Sequence, residues 1–152
     1  MTYILDTDTL IFLIRGLKIT SPRTAHEKEL RRKADQILAR CRTTASDGNI
    51  LALSSITAAE LEYGARRSLS YETEASAVQK ILGPFQRLDF DGFECAKRYG
   101  EIRHSLESAG LPIGAMDLLI AAHAQATASI LVSNNKSHFS RIKDIQLESW
   151  TD

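Results

Sequence analysis

Residues 3–12, YILDTDTLIF, set an apolar run against two carboxylates, Asp6 and Asp8, and then resume with a second apolar run. An apolar stretch this short, closed by a polar turn, is too brief for a helix and reads as a buried strand over residues 2–6. Leu10–Ile14 then continue as a short helix. Asp8 stands where an N-cap belongs, its oxygen able to accept from the free N–H groups of the first turn.

The same alternation continues along the chain. SP at 21–22 breaks it, and residues 24–42 then carry apolar positions at Leu30, Ala34, Ile37, Leu38 and Cys41, an amphipathic helix with a basic outer face. A turn at 46–49 precedes a second strand near 50–54, and Thr57 stands three residues before Glu60 in a capping-box arrangement that opens the next helix. A further helix spans roughly 72–83, and FQRLDF (85–90) supplies a third strand. Asp91 caps a long helix closed by Gly110, residues 115–127 are helical, SILVS (129–133) is a fourth strand, and IQLESW (145–150) adds a fifth at the edge. Strands separated by helices imply parallel pairing with helices on both faces. The expected fold is a three-layer α/β/α domain spanning residues 1–152, with a mainly parallel sheet of four or five strands. In such sheets the site lies outside the carboxyl ends of the strands, where Asp6 and Asn135 fall.

Composition narrows the function classes. The chain has 152 residues, 43% hydrophobic and 25% charged, with 19 basic against 19 acidic groups, so it finds no partner through bulk charge. Cys41 and Cys95 stand alone, with no CxxC and no nearby Cys/His cluster, a pattern that suggests neither a disulfide framework nor a zinc site. No basic segment precedes the first apolar run, and no stretch approaches about 18 apolar residues, so the reading is a cytoplasmic protein with no membrane partner.

Three acids fall where acids are costly. Helical spacing places Glu60 with Ile56, Tyr63 and Gly64 on an apolar face, while Glu62 points the other way; Asp117 shares a face with Ile120, Ala121 and Ala124. Burying an ionised carboxylate is unfavourable unless a cation or hydrogen bonds offset it. Each acid could be an independent cap or ion-pair partner, with Arg66, Arg67, Arg98 and Arg103 available. The alternative is that Asp6, Glu60 and Asp117 share one hard divalent cation, Mg²⁺ or Mn²⁺, which prefers oxygen ligands and needs few carboxylates. Asp8 is ranked first as a cap and second as a water-mediated contributor to such a site.

ILDTDTL is similar to the opening motif of haloacid-dehalogenase-like phosphatases, in which Asp6 would be the nucleophile. Order opposes that reading, because only 18 residues follow Asn134 and they carry no acidic pair on an apolar strand. The chain resembles the PIN-domain ribonucleases, and specifically the VapC toxins of bacterial toxin–antitoxin pairs, from end to end. The matching blocks are YILDTDTLIFLIRG (3–16), LALSSITAAELEYGARRS (51–68), GLPIGAMDLLIAAHA (110–124) and ILVSNNKSHFSRI (130–142), with LESW closing the chain.

That resemblance implies a metal-dependent endoribonuclease that cuts structured or looped RNA, transfer or ribosomal, and so inhibits translation. It implies a catalytic and metal-binding set of Asp6, Glu60 and Asp117, with Ser133, Asn135 and Asp8 supporting it. Asn135 occupies a position where many members carry a fourth acid, a departure that weakens any second metal. It also implies an antitoxin partner and a homodimer. An acidic site needs cations nearby to admit a polyanion, and Lys136 and Arg141, next to the strand carrying Asn135, rank first for RNA contact. A domain that grips RNA without cutting it is the rival reading.

Overall fold

The computed structural model describes residues 1–152. The elements run β1 (Thr2–Leu5), α1 (Thr7–Lys18), α2 (Ala25–Ser46), β2 (Ile50–Ser54), α3 (Ser55–Arg67), α4 (Tyr71–Leu82), β3 (Gln86–Leu88), α5 (Glu94–Ser108), α6 (Ala115–Ala126), β4 (Ile130–Val132), α7 (Lys136–Phe139) and β5 (Leu147–Glu148). The five strands form one sheet in the order β3-β2-β1-β4-β5. Every pairing is parallel, with Tyr3 opposite Leu51 on one side and Ile130 on the other. The chain moves outward from β1 through β2 to β3, then returns to lay β4 on the other flank of β1. The order therefore reverses between β1 and β4, and a crevice opens at their carboxyl ends.

Successive strand side chains point to opposite faces, and the buried residues sort accordingly. Leu5, Leu51, Leu53 and Val132 face one core with Leu10 and Leu13 of α1, Ile37 of α2, Leu82 of α4 and Trp150. Ile4, Ala52 and Leu131 face the other, with Ile102 and Leu106 of α5 and Ile120 and Ala121 of α6. Each leucine, isoleucine or valine among them, fully buried, is worth about 1.5–3 kcal/mol. Two cores on two faces make the three layers that the alternation of elements requires.

Helix ends follow their local chemistry. Thr24 and Glu27 close a reciprocal capping box at the start of α2 (3.1 and 3.2 Å). Gly110, at φ 71°, lets Leu111 N–H reach Leu106 C=O (2.9 Å) and so ends α5. Asp91 Oδ1 accepts from Phe93 and Glu94 N–H (2.8 and 2.6 Å), the capping role expected of it.

Four local expectations are corrected. α1 begins at Thr7 and is capped by Asp6, whose Oδ1 accepts from Thr9 N–H at 2.9 Å; Asp8 is an exposed residue inside the first turn. The same helix runs on to Lys18 rather than stopping at Ile14. Gly16 is buried there because α2 crosses it closely: a Cβ would lie 2.7 Å from Leu30 C=O and would collide with the Ala34 methyl. The Thr57–Glu60 capping box does not form. α3 starts directly after β2 with Ser54 as its cap (Oγ to Ile56 N–H, 3.0 Å), and Thr57 and Glu60 turn to Thr7 instead. Finally, the buried stripe of α3 is Thr57, Leu61 and Ala65; Glu60 lies at its margin, while Tyr63 and Gly64 are exposed. α7 was not anticipated, being only four residues long. No helix is long and apolar enough to cross a membrane.

Candidate active site

Asp6 leaves the sheet at the carboxyl end of β1, its own N–H still donating to Val132 C=O of β4 (3.0 Å). It is 2% exposed, and burial pushes its carboxyl up to about 6, against the opposing pull of hydrogen bonds from Ser133 and Thr9. Ser133 lies at the end of β4 and is fully buried. Its hydroxyl donates to Asp6 and accepts from Asn135 N–H at 2.9 Å, so one side chain ties the acid to the loop leading into α7.

Asp117 enters from α6, where it stands in the first turn and its charge complements the helix N-terminus. Half-buried, its carboxyl is also raised, first by desolvation and then by the charge of Asp8, with His138 and Asn135 pulling the other way. Asn135 Nδ2 donates to Asp117 Oδ2 (3.3 Å) and lies 2.9 Å from His138 Nδ1. The negative charge of Asp8 raises both Asp6 and Asp117, and Asp8 caps no helix.

Glu60 is held differently. Its Oε1 accepts from Thr7 Oγ1 at 2.6 Å, and Thr57 lies one turn earlier on the same helix, its Oγ1 3.1 Å from that of Thr7. As the side chains stand, no three acidic, histidine or cysteine groups are close enough together to hold an ion. The fold thus brings Asp6, Asp8, Asp117, Ser133 and Asn135 to one crevice, with Glu60 beside it on a separate tether.

The cations that could have neutralised these acids are engaged elsewhere. Arg66 pairs with Glu62, Arg98 with Glu101 and Arg103 with Glu107, and Arg67 lies over the Tyr63 ring. The only basic group near Asp117 is His138, at 4.0 Å, and no lysine or arginine pairs with Asp6, Glu60 or Asp117. An uncompensated, all-oxygen set of carboxylates with an amide beside it fits a hard divalent cation, which keeps several waters and takes one or two direct carboxylates. The donor set offers nothing to a soft metal.

Of the residues expected to meet RNA, Lys136 follows Asn135 directly and is ion-paired with Asp152. Arg141 is turned away: its guanidinium donates to Pro112 C=O (3.1 Å) and lines a separate cavity with Arg98, Gln125 and Lys143 that contains none of the acids. Thr7 escaped the sequence reading, and Thr57 was read only as a helix cap, because no local period links positions 50 residues apart. His138, three residues after Asn135, carried a readable helical spacing.

The PIN domain family profile matches residues 3–145, and the chain belongs to that family. It is 33% identical over 150 residues to the tRNA(fMet)-specific endonuclease VapC of Salmonella typhimurium, covering 99% of this chain and 98% of that protein. It is 44% identical over 102 residues to ribonuclease VapC2 of Rickettsia felis, covering 67% of this chain and 75% of the relative. Among solved structures it is similar to VapBC2 from Rickettsia felis bound to a DNA fragment from their promoter, with a TM-score of 0.82, 34% identity and 99% of both chains covered. DNA-bound VapBC from Salmonella typhimurium gives the same TM-score of 0.82 at 33% identity, over 99% of this chain and 98% of that one.

Proposed function

We propose that the chain is a Mg²⁺- or Mn²⁺-dependent endoribonuclease, the toxin of a toxin–antitoxin pair, which hydrolyses phosphodiester bonds in looped transfer or ribosomal RNA and so halts translation. The observation that carries the reading is the pair of carboxyls at the β1/β4 crevice, Asp6 buried and Asp117 half-buried, with both proton affinities raised and no lysine or arginine paired with either. The VapC names of the relatives supply the substrate class.

In this reading Asp6 and Asp117 hold the ion, Glu60 completes the acidic set, and Asp8 adds negative charge at the mouth. Ser133 orients Asp6, and Asn135 orients Asp117 without adding charge. A bound Mg²⁺ or Mn²⁺ acidifies water and neutralises the charge that develops on the scissile phosphate. Lys136, next to Asn135 and paired with Asp152, is the cation proposed to meet the RNA backbone; Arg141 could join only by leaving Pro112.

The partner is an antitoxin of the VapB kind. An apolar groove of about 650 Å³ between α1, α2 and α4, lined by Leu13, Leu38, Ile81 and Phe85 and bordered by Lys18, Arg42 and Lys80, suits an amphipathic acidic segment. A homodimer and a cytoplasmic location belong to the same reading. The phosphatase alternative gains no support, since the family profile that matches residues 3–145 is that of PIN domains.

The test is cleavage of RNA by the purified chain with Mg²⁺ or Mn²⁺, with chelator, and with Asp6→Asn, Glu60→Gln and Asp117→Asn. Each variant, and the chelator, is expected to abolish cutting while the fold persists. RNA cleavage surviving all three substitutions defeats the reading.

A further inference from the structure

We propose that His138 is a substrate-binding residue of the crevice: carrying its single ring proton on Nε2, it donates that proton to a phosphate oxygen of the RNA, while its Nδ1 fixes the amide of Asn135. This rests on the nuclease reading above and adds to it a group that takes up the substrate's phosphate.

The Asn135 side chain stands between Asp117 of α6 and His138 of α7: its Nδ2 lies 3.3 Å from Asp117 Oδ2 and 2.9 Å from His138 Nδ1. Turning the amide over would set its oxygen against a carboxylate oxygen, with no proton between them, so Nδ2 faces Asp117. An amide nitrogen has two N–H bonds and accepts none. One goes to Asp117 and the other to His138, whose Nδ1 must then be the bare nitrogen of the ring. The ring proton therefore sits on Nε2.

Nε2 has no hydrogen-bond partner in the fold and is open to solvent, on a side chain 44% exposed whose other nitrogen lies 4.0 Å from Asp117 Oδ2. The neighbouring cations are engaged, Lys136 with Asp152 and Arg141 with Pro112 C=O. His138 thus offers a free N–H beside Asp117. A phosphate oxygen is an ionised acceptor and makes a short, strong hydrogen bond with such a donor. The missing charge matters, because a lysine or arginine here would pair with Asp117 and compete with the cation, whereas the N–H of an uncharged ring draws in phosphate and leaves the carboxylate to the ion. Asn135 links the two, since the amide that orients Asp117 also aims the imidazole.

The experiment has two arms. Proton–nitrogen correlation spectra of the metal-free chain at about pH 8 read the His138 tautomer. Nδ1 is expected to be unprotonated throughout the unaltered chain, and Asn135→Ala to admit a population with the proton on Nδ1, facing Asp117. A ring protonated at Nδ1 in the unaltered chain overturns the proposal, and so does a tautomer that Asn135→Ala leaves unchanged. In the second arm, single-turnover cleavage of total cellular RNA at saturating Mn²⁺ gives the apparent Kd for RNA and the cleavage rate, and calorimetry without RNA gives the Mn²⁺ affinity. His138→Asn keeps an acceptor near the place of Nδ1 and has nothing at that of Nε2; it is expected to weaken RNA binding at least about fivefold, with cleavage rate and Mn²⁺ affinity within about twofold. His138→Gln, whose amide N–H reaches the place of Nε2, restores RNA affinity to within about twofold but gives up the hold on Asn135, so its cleavage rate falls at least about fivefold. An unchanged circular dichroism spectrum shows that both variants are folded. Unaltered RNA affinity in His138→Asn overturns the proposal, and so does a loss of Mn²⁺ as large as that of Asp117→Asn. Failure of the unaltered chain to bind Mn²⁺ or cut RNA overturns the nuclease reading and this inference with it, and is told apart because it precedes any substitution.

Discussion

At Asp6 one carboxylate caps a helix and, in the proposed function, serves the site as well. Oδ1 caps α1 through Thr9 N–H, while the group sits in a buried position that raises its proton affinity. The two roles separate by substitution, because Asn caps as well as Asp but carries no charge. With chelator present, Asp6→Ala is expected to be about 1 kcal/mol less stable than Asp6→Asn in urea unfolding, the difference being the lost cap. Asp8 is exposed and caps nothing, so Asp8→Ala should stay within about 0.5 kcal/mol of the unaltered chain. A cost at Asp8 equal to that at Asp6 would move the cap back to the position favoured by local pattern. The sequence marks both acids and shows that one ends a strand. Which of them caps turns on where the strand lets go, and that is decided by the Asp6 N–H bond to Val132, 126 positions away in the chain and invisible to local spacing.

Between elements, packing decides what pattern alone leaves open. The strands were legible as short apolar runs, and β2 falls at 50–54 as expected, because buried parallel strands need no partner-specific signal. α1 was underestimated because its apolar run ends at Ile14, whereas the helix continues to Lys18 and α2 approaches it at Gly16. Gly16→Ala is therefore expected to destabilise the chain by about 1–3 kcal/mol through overpacking, even though Ala is the better helix former. A neutral or stabilising result in urea unfolding would show that α2 can move away. A second junction joins the two helices that carry Glu60 and Asp117. His123 of α6 is fully buried, its Nδ1 2.8 Å from Ser54 Oγ, the cap of α3, and its ring meets Phe90 edge to face. Burial holds this imidazole below its usual pKa, so between that lowered value and the ordinary 6.5 the unfolded chain binds a proton that the folded one does not. Stability from this group is present above that window and is lost as pH falls into it. Urea unfolding at stepped pH should show the fall in the unaltered chain and a shallower one in His123→Asn, which can keep the Ser54 contact without the titration. Equal slopes would remove His123 as the source.

On the scale of the molecule, the crevice exists because the strand order reverses between β1 and β4, and the alternation of strands and helices made that reversal readable in outline. Its electrostatic state was less readable. Inward-facing acids were evident from helical spacing, but whether arginines would neutralise them depended on which of many exposed ion pairs the fold would form, and i,i+3 and i,i+4 pairs on α3 and α5 claimed Arg66, Arg98 and Arg103. With those cations engaged, negative charge at Asp6, Asp8 and Asp117 stays unbalanced in the folded chain and is dispersed when the chain unfolds. A divalent cation that binds only the folded form must then stabilise it, by about 2.7 kcal/mol at a hundredfold excess over its dissociation constant. Thermal unfolding of the purified chain should therefore rise with added Mg²⁺ or Mn²⁺ and return to its starting value with chelator. The rise should vanish in Asp6→Asn and Asp117→Asn, which each remove a proposed direct ligand. It should be smaller in Asp8→Asn and in Glu60→Gln, which each remove one negative charge from the acidic set. Equal shifts in all four variants would mean that the cation binds the surface diffusely. Loss of the shift in Glu60→Gln alone would mean that α3, not α6, supplies the second ligand.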